Sequence, residues 1–212
     1  MEELIKLLEN PFDDVTTEET FQEKCKKIAT KLFKDYCINC NGKTFYFAEI
    51  EFYYYKEGVW EKNWNSATYP RDFKGKCGQL FYHLSGVDIC FDGNLKKENS
   101  VFTGKGGGIL IRSIVNSSNN SLIVGPLTCA NTLLNACDGK NMPSVRPLKE
   151  SHNYEIMQTY RFFGDEDFAK IENGTNRDGE LKLAFFDSKI DPNIWNKARS
   201  KYSKRLQYDK KI

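Results

Sequence analysis

The sequence predicts an α+β protein in which helices pack around a curved, largely antiparallel sheet. The chain has 212 residues, a length that suits one domain, and no linker or internal repeat divides it. Segments with strand character outnumber segments with helical spacing. The two kinds do not alternate regularly, as they would in a parallel βαβ fold. We therefore predict a single domain over residues 1–212.

Helical signals occur near both ends of the chain and in its middle. Apolar spacing predicts a first helix that Pro11 ends, and Thr16-Thr17-Glu18-Glu19 supplies the N-cap signal of a second. Gly125-Pro126 opens a third helix, and a terminal helix is expected after Pro192. The apolar residues of the first three helices are Leu4, Leu7 and Leu8; Phe21, Cys25, Ile28, Leu32 and Phe33; and Leu127, Ala130, Leu133, Leu134 and Cys137.

Strand signals fill much of the remaining chain. After a turn at Asn41-Gly42, β-branched and aromatic residues dominate residues 44–55 and predict a long strand. Ser85-Gly86 separates two shorter strands, and a triple glycine leads into a fourth. This triple glycine is not a phosphate loop, because a strand and not a helix follows it, without the required lysine. The shorter strands are expected at residues 79–85, 87–91, 109–115, 160–163 and 181–186, with a loop at 63–76.

Charge and hydropathy limit the classes of partner. The net charge of +2 does not by itself predict a nucleic-acid partner. The basic C-terminal tail, residues 197–212, is either a solvated surface or a segment that contacts phosphates. No apolar run reaches the roughly 20 residues that span a bilayer, and the N-terminus lacks signal-peptide features. We therefore expect an intracellular monomer with no membrane contact, cytoplasmic or, in a eukaryote, nuclear.

The cysteines indicate free thiols. There are 7 of them, an odd number at irregular spacing. Cys37 and Cys40 have zinc-knuckle spacing, but a second such pair is missing and the chain has only 2 histidines. We therefore expect these two thiols in a helix-to-strand turn, with no bound metal and no cofactor.

The long strand at residues 44–55 has one unusual face. Because side chains alternate across a strand, Glu49 and Glu51 are expected to lie among aromatic rings on one face. That face is either exposed to solvent or the wall of a pocket, where a carboxylate needs a charged partner or has a raised pKa. The predicted core face holds Tyr46, Ala48, Ile50, Phe52 and Tyr54, and the predicted carboxylate face holds Phe45, Phe47, Glu49, Glu51, Tyr53 and Tyr55.

Two further residues are candidates for the same site. Arg112 is a lone charge in an apolar strand, and it is expected to be paired if it is buried. A pair with Glu51 would satisfy both side chains, either as a structural salt bridge or as part of a catalytic site. His83 is either a hydrogen-bonded structural residue or an acid–base group. The sequence spacing indicates no Ser/His/Asp arrangement.

The order of these elements resembles the alkyladenine (3-methyladenine) DNA glycosylase family. The resemblance covers roughly residues 17–137, and little of it is seen after about residue 150. No single motif is strong, but four occur in the family's order. They are Glu49-Ile50-Glu51-Phe52-Tyr53, residues 78–91 with Gly86 and Cys90, Ile109-Leu110-Ile111-Arg112, and Gly125-Pro126 before a helix.

This resemblance implies hydrolysis of an N-glycosidic bond on a flipped base during DNA repair. It implies that Glu51 is the general base that holds the attacking water and that Arg112 helps to position that water. It also implies that Tyr53 stacks on the extruded base, with Tyr82 or His83 on the other side. The remaining substrate-binding residues implied by the motifs are Glu49, Leu110 and Asp92.

The chain departs from the family at three positions. The family's pocket histidine has no counterpart in residues 59–66, and its asparagine beyond the cysteine is here Asp92. The family's intercalating tyrosine is here Ser85. The first two departures affect the choice of base. The third predicts a preference for single-stranded, mismatched or free substrates, because serine is too small to fill the gap that a flipped base leaves.

These observations together predict an N-glycosidase that removes a modified base from nucleic acid. The expected partner is DNA, including single-stranded DNA, or a nucleotide. One alternative is a catalytically inactive module that binds a base or a nucleotide. Another is an N-glycosidase that acts on free nucleotides outside DNA repair.

Overall fold

The structure is a computed structural model that describes residues 1–57, 77–91, 93–98, 101–137, 139, 141–159, 182–191 and 193–195. These ranges contain three helices, eleven strands and a short helical segment at residues 193–195, which confirms the predicted α+β class. The helices are α1 (Glu2–Leu8), α2 (Glu18–Asp35) and α3 (Pro126–Asn135). The strands are β1 (Tyr36–Cys40), β2 (Lys43–Lys56), β3 (Leu80–His83), β4 (Gly86–Cys90), β5 (Lys96–Glu98), β6 (Val101–Thr103), β7 (Lys105–Asn116), β8 (Ser121–Val124), β9 (Ser144–Pro147), β10 (Ile156–Thr159) and β11 (Ala184–Asp187).

Nine strands form one curled antiparallel sheet with β2 near its centre. The main order is β10-β11-β2-β7-β4-β3, while β1 pairs with β2 and β9, and β8 pairs with β7. β5 and β6 form a separate two-stranded sheet. One face of the large sheet carries the main hydrophobic core, to which all three helices contribute buried side chains. None of the helices in the described ranges combines the length and the apolar composition that crossing a membrane requires.

The helices begin where the sequence predicts. The Thr17 hydroxyl accepts a hydrogen bond from the Thr20 backbone N–H at 3.2 Å, and the Thr20 hydroxyl accepts one from Thr17 N–H at 3.3 Å. This reciprocal cap satisfies two N–H groups that the first turn of α2 cannot pair. α3 begins at Pro126, directly after Gly125, whose φ of 100° favours glycine.

The prediction of a turn at Cys37 and Cys40 was wrong, because both lie in strand β1. β1 follows α2 without a loop and pairs with β2 on one side and β9 on the other. These two ladders, formed with distant parts of the chain, override the weak local pattern of the segment. The turn at Asn41-Gly42 is confirmed, and both residues have positive φ, as a tight hairpin requires.

β2 and β7 shift register where the sequence predicts continuous alternation. Ala48 on β2 and Arg112 on β7 have no direct cross-strand partner, while the residues on either side of each remain paired. One extra residue in a strand reverses which of the following side chains face the core. The shift therefore divides β2 into two halves. Odd-numbered side chains face the core in the first half, and even-numbered side chains face it in the second.

The predicted faces of β2 were wrong before the shift and correct after it. Phe45 and Phe47, expected beside the carboxylates, are buried in the main core. Tyr46 and Ala48, expected in the core, lie on the opposite face, where Ala48 joins a smaller buried cluster. After the shift, the main core contains Ile50, Phe52 and Tyr54, as predicted.

The triple glycine lies in β7 directly opposite three tyrosines of β2. The pairs are Gly106 with Tyr55, Gly107 with Tyr54, and Gly108 with Tyr53. A Cβ atom on Gly108 would lie 2.8 Å from the Tyr53 hydroxyl and 3.0 Å from the Ile89 carbonyl oxygen. The glycines are therefore required for close packing of the sheet, in agreement with the prediction that they form no phosphate loop.

The other predicted elements are present in part. The strands predicted at 79–85 and 87–91 are β3 and β4. β3 ends before Leu84, and β4 begins after Ser85. The strand predicted at 181–186 is β11, which begins three residues later and ends one residue later than predicted. The terminal helix expected after Pro192 is present at residues 193–195. The loop at 63–76, the strand at 160–163 and the basic tail at 197–212 lie outside the described residues.

The packing of the triple glycine can be tested with an alanine substitution. A Cβ atom on Gly107 would lie 2.2 Å from the Tyr53 carbonyl oxygen and 2.8 Å from the Tyr54 Cα, and these backbone atoms are fixed by the strand pairing. We expect Gly107→Ala to lower the free energy of unfolding in urea by about 3 kcal/mol. Gly106→Ala is the matched control, because its nearest contact is the Leu95 side chain at 3.0 Å. Equal losses in the two variants would contradict this explanation.

Candidate functional site

The candidate site lies on the face of the sheet opposite the main core. The strand register places Leu110 beside Glu51 on one side and beside Asp88 on the other. The residues that flank these positions along their strands, including Ile50, Ile89 and Ile109, are buried in the core. Because side chains alternate, the charged residues project to the other side. We call this surface, with Glu49, Glu51, Tyr53, Asp88 and Arg112, the site face.

Arg112 lies between the two glutamates of β2. Its Nη1 atom donates a hydrogen bond to Glu51 Oε2 at 3.0 Å, and its Nε atom lies 3.5 Å from Glu49 Oε1. The Ser113 hydroxyl donates to Glu49 Oε2 at 3.0 Å. The structure therefore contains the Glu51–Arg112 pair expected from the sequence, and it adds Glu49 to the pair.

These charged groups are almost completely shielded from solvent. Glu51 is 0% exposed, Glu49 1% and Arg112 9%. Burial alone would lower the pKa of Arg112, but the carboxylates of Glu51 and Glu49 outweigh this effect and raise its pKa above the ordinary value. The guanidinium therefore stays charged. With both carboxylates ionised, the group has one more negative charge than positive charges.

Tyr53 and His83 meet at a third buried carboxylate, that of Asp88. The Tyr53 hydroxyl donates to Asp88 Oδ2 at 2.6 Å, and His83 Nε2 lies 3.1 Å from the same oxygen. Asp88 is 1% exposed. The Tyr53 ring is therefore held by its hydroxyl group at one end of the site face.

His83 forms the edge of the site at the β3–β4 hairpin. Its Nδ1 atom accepts hydrogen bonds from the Ser85 backbone N–H and lies 3.2 Å from the Ser85 hydroxyl. The Nε2 atom lies beside Asp88 but makes no hydrogen bond within the described residues. The contacts with Ser85 fix the ring at the hairpin, as the structural interpretation of His83 expects.

The tip of this hairpin presents an apolar side chain to solvent. Leu84 lies between His83 and Ser85 and is 99% exposed, the highest value among the large hydrophobic side chains of the described residues. A leucine in this position buries nothing within the chain. A contiguous apolar patch marks a contact surface, whereas a single exposed leucine is common on proteins, so Leu84 alone does not mark one here.

The structure does not bring all predicted site residues together. Tyr82, expected near the base, packs against the main core on the other side of β3, where burial raises the pKa of its hydroxyl above the ordinary value. Leu110 lies between Glu51 and Asp88, as its motif implies. Asp92 lies outside the described residues.

Sequence reasoning missed Asp88, although a signal for it was present. Asp88 is a single charge between Val87 and Ile89 in an apolar strand, the same pattern that identified Arg112. The side of the sheet on which Tyr82 lies could not be inferred in this way, because it depends on which residues of β3 face the core. Among the described residues, no group of three or more histidine, cysteine, aspartate and glutamate side chains could hold a metal ion.

Comparison of the chain with protein-family models, with curated proteins and with solved structures finds no match. The resemblance to the alkyladenine DNA glycosylases therefore depends on the sequence motifs alone and stays a prediction. Three of the strands that carry these motifs, β2, β7 and β4, are neighbours in the sheet.

The contribution of Arg112 to stability can be measured by replacing its guanidinium with an uncharged side chain. Arg112→Met would leave the buried carboxylates of Glu49 and Glu51 without their cation, and we expect it to lower the free energy of unfolding by about 3–5 kcal/mol. The measurement is urea denaturation at neutral pH. The triple variant that also carries Glu49→Gln and Glu51→Gln should recover part of this loss, because it removes the repelling charges. A loss below about 1 kcal/mol for Arg112→Met would indicate a solvated guanidinium.

Proposed function

We propose that this protein is an N-glycosidase that removes a modified base from nucleic acid. The observation that carries the proposal is the buried pair of Glu51 and Arg112, joined at 3.0 Å on a face that also holds an anchored tyrosine. A buried charged pair is expensive to maintain and is a better candidate for function than a surface pair. The motif resemblance gives this pair its chemical interpretation.

In the proposed reaction, Glu51 activates water and Arg112 holds the carboxylate in place. One Glu51 oxygen accepts a hydrogen bond from Arg112, so the orientation of the carboxylate is fixed. Glu51 takes a proton from the water as the water attacks the anomeric carbon, and the base departs from the sugar. The sugar acquires oxocarbenium character at this stage. The Glu49 carboxylate, together with that of Glu51 until the proton has transferred, would stabilise it.

The proposed base-binding surface is the Tyr53 ring. The Asp88 contact at 2.6 Å fixes the hydroxyl end of the ring and limits its rotation. A ring held in place loses less conformational entropy when a base stacks on it, and stacking contributes about 1–3 kcal/mol per base. Because Tyr82 lies on the core side, His83 is the candidate from the β3–β4 hairpin for the opposite side of the base.

One observation favours a second candidate function, a module that binds a base or nucleotide without cleaving it. Glu51 is 0% exposed and already accepts a hydrogen bond from Arg112. A general base needs contact with the attacking water, whereas a binding module needs only the aromatic surface and the charges. The two functions differ in one measurable result, which is release of the free base.

The assignment of Glu51 is tested by a change that keeps its shape. Glu51→Gln keeps the size of the side chain, but an amide cannot accept the proton from water. We therefore expect turnover to fall by about 10²-fold or more. The measurement is single-turnover release of base, detected by mass spectrometry, from oligonucleotides and nucleotides that carry a panel of modified bases. Glu49→Gln is the matched control, with a smaller expected loss. Wild-type turnover by Glu51→Gln would refute the assignment. Binding without release by the wild-type protein would establish the second candidate function.

The preferred form of the substrate is tested at the hairpin tip. Ser85 is too small to fill the gap left by a flipped base, and Leu84 is the exposed apolar side chain beside it. We expect excision from single-stranded or mismatched DNA, or from free nucleotides, to be faster than from paired duplex. Leu84→Ala should widen this difference by slowing only the duplex reaction. The comparison uses the same modified base in each substrate, and faster excision from paired duplex would contradict the prediction.

A further inference from the structure

We propose that Cys40 and Cys137 form a redox pair that closes to a reversible disulfide. Their sulfur atoms lie 3.2 Å apart, although the residues are 97 positions apart in the sequence. The bonded distance in a disulfide is about 2.05 Å, so bond formation requires a movement of only about 1 Å. Both residues are reduced cysteines in this structure.

The two cysteines belong to different elements that meet at one place. Cys40 ends β1 and is buried, while Cys137 follows α3 and is half-buried. Each thiol also has a backbone carbonyl within reach, the Asn141 oxygen at 3.6 Å from Cys40 and the Leu133 oxygen at 3.3 Å from Cys137. These contacts hold the reduced sulfurs in place beside each other.

A cavity of about 830 Å³ lies near Cys40, although neither cysteine lines it. A small oxidant would reach Cys137 first, because Cys137 is half-buried and Cys40 is buried. The lining of the cavity includes Asn39 and Asn41, on either side of Cys40, and Asn141, whose carbonyl contacts the Cys40 sulfur. Tyr82 also lines the cavity. The pair is therefore separate from the site face, which lies on the other side of the sheet.

Several of the other described thiols are poor competitors for oxidation. The thiolate is the reactive form of cysteine, and burial raises the pKa of Cys25 and Cys37 above the ordinary value and that of Cys90 to about 12. Cys37 is close to Cys40 in sequence, but its sulfur contacts the Arg146 carbonyl oxygen at 3.7 Å. Sequence spacing would suggest a disulfide between Cys37 and Cys40, whereas in the structure Cys137 is the cysteine whose sulfur lies beside that of Cys40.

The proposed oxidation consumes one peroxide for each pair. The Cys137 thiolate attacks the peroxide oxygen, the O–O bond breaks, and an alcohol or water leaves as Cys137 becomes a sulfenic acid. The Cys40 thiolate then attacks the Cys137 sulfur and water leaves, so that two thiols lose two electrons and two protons. Exchange with an external dithiol reverses the reaction.

The disulfide would fix α3 relative to β1. α3 packs against β4 and β7, the strands that carry Asp88 and Arg112, and β1 pairs with β2, which carries Glu51. A cross-link across 97 residues reduces the freedom of the unfolded chain. Oxidised protein should therefore melt at a higher temperature than reduced protein.

Peptide mapping of the full chain tests the proposal. We expect treatment with a small excess of hydrogen peroxide to lower the mass by two hydrogen atoms, to yield one Cys40–Cys137 peptide, and to be reversed by dithiothreitol. Cys40→Ser and Cys137→Ser should each abolish the cross-link and the rise in melting temperature, while Cys37→Ser, the matched control, retains both.

Three results would overturn the proposal. They are a Cys37–Cys40 cross-link, sulfinic acid on Cys137 with Cys40 still reduced, and unmodified thiols under peroxide that oxidises a small dithiol completely. The map of the wild-type protein decides between these results even if a serine variant fails to fold.

Discussion

The buried Arg112 is the constraint on which the arrangement of the sheet depends. A guanidinium that is 9% exposed needs compensating charge, and in this protein Glu49 and Glu51 provide it from the neighbouring strand. Both glutamates lie on the same face of β2, next to the place where β2 and β7 shift register at Ala48 and Arg112. Before the shift, Phe45 and Phe47 of β2 face the core, and after it Ile50, Phe52 and Tyr54 do. The charge compensation of Arg112 thus occurs at the place where the side chains of β2 and β7 change the face on which they lie.

Local signals in the sequence predicted the three helices and strands β2, β3, β4, β7 and β11, but not the other six strands of the described residues. The cap at Thr17, the proline at the start of α3 and the turn at Asn41-Gly42 each depend on a few adjacent residues, and the structure contains all three. Strand β1 could not be predicted in this way, because its stability comes from pairing with β2 and with the distant β9. The register shift was invisible for the same reason. It is a property of two strands together, and neither sequence alone encodes it.

The candidate site was predictable where a charge interrupts an apolar strand. This pattern identified Arg112 and Glu51, and it is equally present at Asp88, where it was overlooked. The pattern does not predict side-chain direction in short strands. Tyr82 lies on the core side and His83 on the other, because β3 is only four residues long and its phase is set by pairing with β4.

The pairing of β2 with β7 also determines how the chain must fold. Arg112 and Glu51 are separated by 61 residues, so the charges cannot neutralise each other until a long loop has closed. Until then, partial burial of either strand would place an uncompensated charge in an apolar environment. We therefore expect the buried pair to disfavour partly assembled states in which only one of the two strands is buried. Chains dominated by such distant pairings fold in milliseconds to seconds, much more slowly than helical bundles.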